Sequence, residues 1–224
     1  MGPIMEQKSQ QNDFKLIKLN IKIMAIIGST GSGKTALSFK YLDNLKAEGK
    51  EIYILNPPRP SQVTDRGFKI MYSIEEIQDK QNIVLFIDEP QLHLPVYEKR
   101  NNDLLMRLFS IARHREIILI LATSNTRYIN KGIESYIDTW IIKDIDYMSV
   151  KNGSVIKHII KNYSLIDPRG FKLNINQYIL FNRQQPSLNG LKTFNKPSYY
   201  SDSYSKPYAL ENSENSENSE KKVL

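Results

Sequence analysis

Eight consecutive residues, Gly28-Ser29-Thr30-Gly31-Ser32-Gly33-Lys34-Thr35, satisfy the pattern G-x-x-x-x-G-K-[ST] at every fixed position. The chemistry this spacing serves is phosphate binding. Glycines let backbone N–H groups converge into a nest, the lysine brings a positive charge, and the hydroxyl beside it offers an oxygen to a magnesium ion. An ordinary glycine-rich turn leaves the Lys34-Thr35 pair unexplained. Ala36 continues the cradle where a helix should begin. The expected ligands are a nucleotide, held by Gly28 through Ala36, and Mg²⁺, held in part by Thr35.

A second signal is Ile83-Val84-Leu85-Phe86-Ile87-Asp88-Glu89. An apolar strand that ends in aspartate delivers a carboxylate to the end of a sheet, where open α/β sheets bind ligands. Asp88 is expected to hold Mg²⁺ beside Thr35, usually through water. Glu89, directly after it, can accept a proton from attacking water, which favours hydrolysis over transfer to an organic acceptor. The plainer reading of Glu89 is an acidic turn before Pro90.

Three weaker signals follow. Leu121-Ala122-Thr123-Ser124-Asn125 is a strand end that should lie beside the γ-phosphate, with Ser124 and Asn125 as phosphate or water sensors and Thr123 as a third candidate. Arg113-His114-Arg115 precedes that strand. In ring ATPases a neighbouring subunit inserts an arginine to neutralise charge on the phosphoryl group, and Arg113 or Arg115 has the right chemistry; each could equally be a surface ion-pair partner. His114 has no metal-ligand companions at useful spacing and reads as packing. Finally, Arg59, Arg66 and Lys69, and Lys151, Lys157 and Lys161 with Tyr147, Tyr163 and Phe171 interleaved, have the composition of a nucleic-acid contact, or of a solvated surface.

The elements that must position these residues are legible in outline. Leu16 to Ile27 alternates and then becomes continuously apolar, as a strand entering a buried sheet should. Ala36 to Glu48 carries Leu37, Tyr41 and Leu45 on one helical face, with Gly49 as its C′ residue. Glu51 to Leu55 reads as a strand. Asn56 to Lys69, with Pro57, Pro58, Pro60 and Gly67, reads as a loop. Ser73 to Asp79 reads as a short helix with Ser73 as N-cap and Glu76 three residues on. Asn82 to Ile87, Glu116 to Ala122 and Tyr136 to Lys143 are strand candidates. Asn102 to Ala112 is a helix with Leu104, Leu105, Leu108 and Ile111 on one face. Asn152-Gly153, between Tyr147–Val150 and Ser154–Ile160, signals a hairpin over about 147–161. At most one further strand is expected, near Tyr178 to Phe181.

This alternation predicts an α/β fold with a mostly parallel sheet flanked by helices and the phosphate loop at a strand end. Residues 1–13 read as a disordered lead and 14–183 as one ATPase domain. From Gln184 the chain turns polar and ends in a literal Glu-Asn-Ser repeat, so 184–224 reads as a disordered tail.

Bulk properties bound the rest. The chain has 224 residues, no cysteine and a formal net charge of +7, with a sequence pI near 9.3. Disulfides and thiolate zinc sites are excluded. No apolar run approaches the roughly 20 residues of a membrane span, and the polar Glu6–Asp13 stretch lacks a signal-peptide core, so a soluble, intracellular protein is expected. A basic balance suits a polyanionic partner or simply a solvated surface.

The phosphate loop, Ile87-Asp88-Glu89, and Arg113-His114 ahead of a strand ending Ala122-Thr123-Ser124 together resemble the FtsK–HerA superfamily of DNA-pumping ATPases. Over about residues 16–165 the chain looks most like the small genome-packaging NTPases of tailless icosahedral viruses with internal membranes, such as archaeal turreted icosahedral viruses. The resemblance implies a P-loop NTPase core of RecA-like type, ATP as the nucleotide and its hydrolysis, a homo-oligomeric ring (pentamer or hexamer), double-stranded DNA and capsid or membrane vertex proteins as partners, and work in the infected host's cytoplasm or at a packaging vertex. One position departs: members commonly carry glutamine where this chain has Ser124, and Asn125 is the available substitute. Two other classes compete. Asp88-Glu89-Pro90-Gln91 resembles the D-E-x-Q stretch of thymidine kinases, whose cysteine zinc site is missing here. A non-motor virion assembly factor using nucleotide as a switch needs neither Glu89 nor a trans arginine.

Overall fold

The computed structural model describes residues 22–93, 99–124, 131–144 and 173–199. Apolar, largely β-branched runs become strands, and the four central parallel ones are buried on both faces. The chain runs β1 (Ile23–Ile27), α1 (Lys34–Ala47), β2 (Glu51–Leu55), α2 (Pro60–Thr64), β3 (Lys69–Met71), β4 (Ile83–Asp88), α3 (Lys99–His114), β5 (Ile118–Thr123), α4 (Lys131–Glu134), β6 (Thr139–Ile142), β7 (Gln177–Asn182) and β8 (Gly190–Thr193). Short 3₁₀ turns occupy Ile74–Asp79, Pro90–Leu92 and Pro186–Leu188.

These strands form one eight-stranded sheet in the order β3-β2-β4-β5-β1-β6-β7-β8. The first six are parallel, and β7 and β8 are antiparallel additions. Strand β5 lies between β4 and β1, in the register Ile87–Leu121 and Ala25–Leu121. The carboxyl ends of the two motif strands and the sensor strand therefore share one edge.

Side chains alternate between two cores, as strand geometry requires. On one face Ile23, Ala25, Ile27, Leu85, Ile87, Leu119, Leu121 and Trp140 pack under Leu105, Leu108, Phe109 and Ala112 of α3. On the other Met24, Ile26, Val84, Phe86, Ile120 and Ile141 pack under Leu37, Tyr41, Leu42 and Leu45 of α1. Of the helical faces read from spacing, Leu37, Tyr41 and Leu45 of α1 and Leu105 and Leu108 of α3 are buried, and Ile111 is partly buried. Gly49 is left-handed at φ 82° and donates its N–H to Lys46, as a C′ glycine should. Ser73 and Glu76 form the expected capping box over a 3₁₀ turn.

Several expectations are corrected. The Asn56–Lys69 segment contains α2, because Pro60 sits in its first turn with φ already set for a helix. Strands β4 and β5 start one and two residues late, since Asn82 and Glu116 adopt φ 54° and 57°. The ordered unit does not stop at Arg183. Asn182 side-chain and backbone bonds turn the chain at 184–189, and β8 pairs with β7 from Leu180–Gly190 to Gln177–Thr193. Beyond it Phe194 meets the Tyr178 ring at 6.1 Å, and Tyr199 donates to Asp43 on α1. A polar composition hid this strand, whose exposed side chains alternate with half-buried ones. The expected lead, the 147–161 hairpin and the part of the tail beyond Tyr199 lie outside the described residues.

Candidate active site

The site is built where β1 ends. Gly28 donates its N–H to Thr123 at 3.3 Å, Ser29 donates to Asp144 at 2.6 Å, and Ser32 closes back on Ser29 at 3.1 Å. Gly33 then takes φ 86° and ψ 22° and starts α1 with no side-chain cap. The first-turn N–H groups consequently face the loop rather than a protein acceptor, and the positive end of the helix dipole points there. Only glycine tolerates that backbone: a Cβ on Gly33 would stand 2.9 Å from Ile175 Cγ1. A Cβ on Gly28 would meet Lys143 Cβ and Ser32 Oγ, both at 2.7 Å. The Ser32 hydroxyl is buried without a hydrogen-bond partner, a donor that a phosphate oxygen would satisfy.

Lys34 is 6% exposed, donates to the Ser29 carbonyl at 3.2 Å and lies 3.6 Å from Glu89 Oε1. Thr35 Oγ1 donates to Asp88 Oδ2 at 3.2 Å. Burial, and then the neighbouring Glu89 carboxylate, push the Asp88 carboxyl up to about 6, against the opposing pull of Lys34 and Thr35. Glu89 sits in the left-handed region at φ 46°, ψ 62°, a conformation that costs a non-glycine residue about 1 kcal/mol or more. Its N–H is held by Ala122 at 2.8 Å. Its Oε2 accepts from Ser124 N at 2.9 Å, Ser124 Oγ at 3.1 Å and Gln91 Nε2 at 2.6 Å. Gln91 Oε1 in turn accepts from Thr123 Oγ1 at 2.9 Å. The strain is thus held by a network that aims one carboxylate beside Lys34.

These groups line a cavity of about 520 Å³ that runs from Thr30 and Ile175 across Asp88 and Glu89 to Asn56, Arg59 and Gln62. The oxygen-only set Thr35 and Asp88 fits a hard cation that keeps waters and substrate phosphates as its other ligands. Among the described residues no cluster of three histidine, cysteine or acidic side chains forms a protein-only metal cage.

Structure and sequence agree on bringing the phosphate loop, Asp88, Glu89, Thr123 and Ser124 together. Asn125 lies outside the described residues. Ser124 is oriented toward Glu89. Arg113 and Arg115 lie at the opposite edge of the sheet. Arg113 donates to the Tyr136 carbonyl at 3.1 Å and pairs with Asp138 at 3.7 Å, and Asp138 accepts from the start of β1. Arg115 donates to the Gln78 carbonyl. The length of β1 alone, about 16 Å, separates them from their own phosphate loop. His114 is exposed rather than packed, because the helical face it occupies turns away from the core. Of the basic loop, Arg66 stacks on the Tyr199 ring at 3.1 Å and Lys69 pairs with Glu51; only Arg59 lines the cavity. Lys151, Lys157 and Lys161 and their aromatic neighbours lie outside the described residues. Sequence reasoning missed Lys143 and Ile175, and took Gln91 only as part of the kinase-like stretch, not as the partner of Glu89. Gln91 had a signal, three residues past Asp88; the other two are brought in by β6 and β7 pairing alone.

The strand order and the site define a P-loop NTPase fold, a mostly parallel sheet with the phosphate loop after a central strand. Among solved structures, the chain is similar to the DNA-packaging ATPase B204 from Sulfolobus turreted icosahedral virus, with TM-score 0.56 and 16% identity over 79% of this chain and 100% of that one. It is similar to the genome-packaging NTPase B204 from Sulfolobus turreted icosahedral virus 2 in complex with ATP-γS, with TM-score 0.55 and 15% identity over 78% and 97%. It also matches the pCW3 conjugation coupling protein TcpA in its monomer form, with TM-score 0.55 and 12% identity over 84% and 64%. No protein-family model matches the chain, and no curated protein does.

Proposed function

We propose that this chain hydrolyses ATP and uses the energy to translocate double-stranded DNA into a preformed viral capsid. The observation that carries the hydrolysis is the Glu89 carboxylate, strained, hydrogen-bonded and set at the lip of the phosphate cavity beside Lys34. An ATP whose phosphates occupy the loop N–H nest would draw Lys34 from Ser29 and Glu89. Glu89 would then accept a proton from water as its oxygen bonds to the γ-phosphorus and the bond to the β-phosphate oxygen breaks. Ser124 and Gln91 hold the carboxylate in position. Thr35 and Asp88 would hold a magnesium ion, which would supply charge neutralisation for the phosphates.

The motor part rests on the likeness to packaging and conjugation ATPase structures and on the formal charge of +7. A ring, pentameric or hexameric, is supported by Arg113 and Arg115 being exposed on the edge away from their own loop. A head-to-tail contact would bring such an arginine to the next subunit's site, after release from Tyr136, Asp138 or Gln78. The proposed setting is the cytoplasm of an infected host cell, at a vertex carrying capsid or membrane proteins.

The test is steady-state ATPase activity with and without double-stranded DNA, beside Glu89→Gln. Loss of turnover in the variant with ATP-γS binding retained, and stimulation of the wild type by DNA, are expected; turnover unchanged by the substitution overturns the reading. A second reading, a nucleoside kinase, draws on the cavity's extension past Asp88 to Asn56, Arg59 and Gln62, where an acceptor would fit. Phosphate transfer to thymidine, not release to water, would decide for it.

A further inference from the structure

Lys143 follows the last residue of β6 and is 0% exposed. It is the only lysine with no exposed surface among the described residues, and the hydrolysis described above gives it no task. Burying an ammonium is unfavourable unless specific partners offset the lost hydration, so its surroundings matter. Nζ donates to the Ile175 carbonyl at 2.5 Å and stands 4.7 Å from the Phe194 ring centroid. It lies 3.6 Å from the point where a Cβ on Gly33 would be, and Lys143 Cβ lies 2.7 Å from the same point on Gly28. Its backbone N–H is held by Ile27 at 2.7 Å, and Asp144, next to it, accepts from both the N–H and the hydroxyl of Ser29. One side chain therefore passes beneath both ends of the phosphate loop and ties them to the Ile175 turn.

Ile175 is 48% exposed, lines the cavity beside Gly33 and is the residue that a Cβ there would strike. Lys143 is what fixes its carbonyl. The second cation of the loop, Lys34, is close enough to push the Lys143 amine down, after burial, to about 8, with Asp144 opposing. Two positive groups beneath one loop repel each other until an anion arrives.

We propose that Lys143 is a positioning residue of the nucleotide site: its ammonium pins the phosphate loop to the Ile175 turn and adds a second positive charge beneath the bound phosphates. The inference rests on the nucleotide-binding reading of the same loop. Its consequence is that bound triphosphate and the β7–β8 edge are linked through one side chain, because Ile175 leads directly into β7 at Gln177 and Phe194 follows β8.

The test is calorimetric titration of Mg·ATP-γS into the full chain and into Lys143→Met and Lys143→Gln at pH 7 and pH 9. Lys143→Met should bind about tenfold more weakly at pH 7, the loss expected for one charge-assisted contact. Wild-type affinity should fall between pH 7 and pH 9, because the neutral amine must take up a proton on binding, and the gap to Lys143→Met should narrow. The charged groups facing the amine are Lys34 on α1 and Asp144 beside it; both remain in the variants, so they do not create the difference. Lys143→Gln keeps a donor for Ile175 without the charge, and should fold yet follow the methionine's flat profile. Variants within twofold of the wild type at both pH values overturn the role of Lys143. A wild type that binds no ATP-γS overturns the nucleotide reading itself.

Discussion

At the residue scale the site is decided by charge and by two backbone conformations. Glu89 is expected to be the base, so Glu89→Gln should lower kcat by about 100-fold or more while ATP-γS affinity is kept; a rapid-mixing phosphate-release assay separates the two. Gly33→Ala must place a Cβ at φ 86° and against Ile175. It should cost about 1–2 kcal/mol of stability and most of the nucleotide affinity, measurable by denaturant unfolding and titration of one preparation. Lys143 makes stability depend on pH in a definite direction. Its folded value near 8 lies below the ordinary 10.5, so the unfolded chain binds the extra proton between those values. The cost of burying the charge is fully present below pH 8 and disappears as pH rises toward 10.5. Relative to Lys143→Met, the wild type should gain stability between pH 7.5 and about pH 10, read from paired urea melts.

At the element scale, much of the architecture was legible because the central parallel strands are continuous apolar runs, which composition alone reveals; the three-residue edge strand β3, half-exposed and opening on Lys69, was not. The loop, its strand and its helix were readable from spacing, as were Asp88 and Glu89. What escaped depends on pairing between distant segments. Strand β8 is a polar edge strand with only alternate residues half-buried, so nothing in Gly190–Thr193 announces it until Gln177–Asn182 is known to lie beside it. Gln91 shows its role only when Thr123 comes within hydrogen-bond reach, and Lys143 is an unremarkable basic residue until β6 sets it under the loop. The same pairing predicts that chain truncated after Arg183 loses β8, the Phe194 ring above Lys143 and the Tyr199 contact with Arg66 and Asp43. Its thermal midpoint should fall by roughly 5 °C or more, with weaker ATP-γS binding as the sign that the edge reaches the site.

At the scale of the whole molecule, the proposed ring makes activity a property of neighbours. Turnover per subunit should rise with protein concentration as rings assemble. A chain with Lys34→Ala has no working site but can lend an arginine; a chain with Arg113→Ala and Arg115→Ala has a site but nothing to lend. Mixing the two should restore part of the ATPase rate that neither shows alone. Rates that stay additive would place the completing charge elsewhere, with Arg113 left as the partner of Asp138 at the start of β1.

The chain contains a single tryptophan, Trp140, packed at 1% exposure in β6 and in register with Ala25 of β1. Every intrinsic fluorescence signal of this protein on excitation of indole thus originates one strand from the phosphate loop and three residues before Lys143. An optical titration with nucleotide needs no dye and no engineered label, and the absence of cysteine leaves the whole surface open for a distance probe placed at will. The chromophore is a native gauge of whether the β1–β6 pair keeps its packing when triphosphate binds.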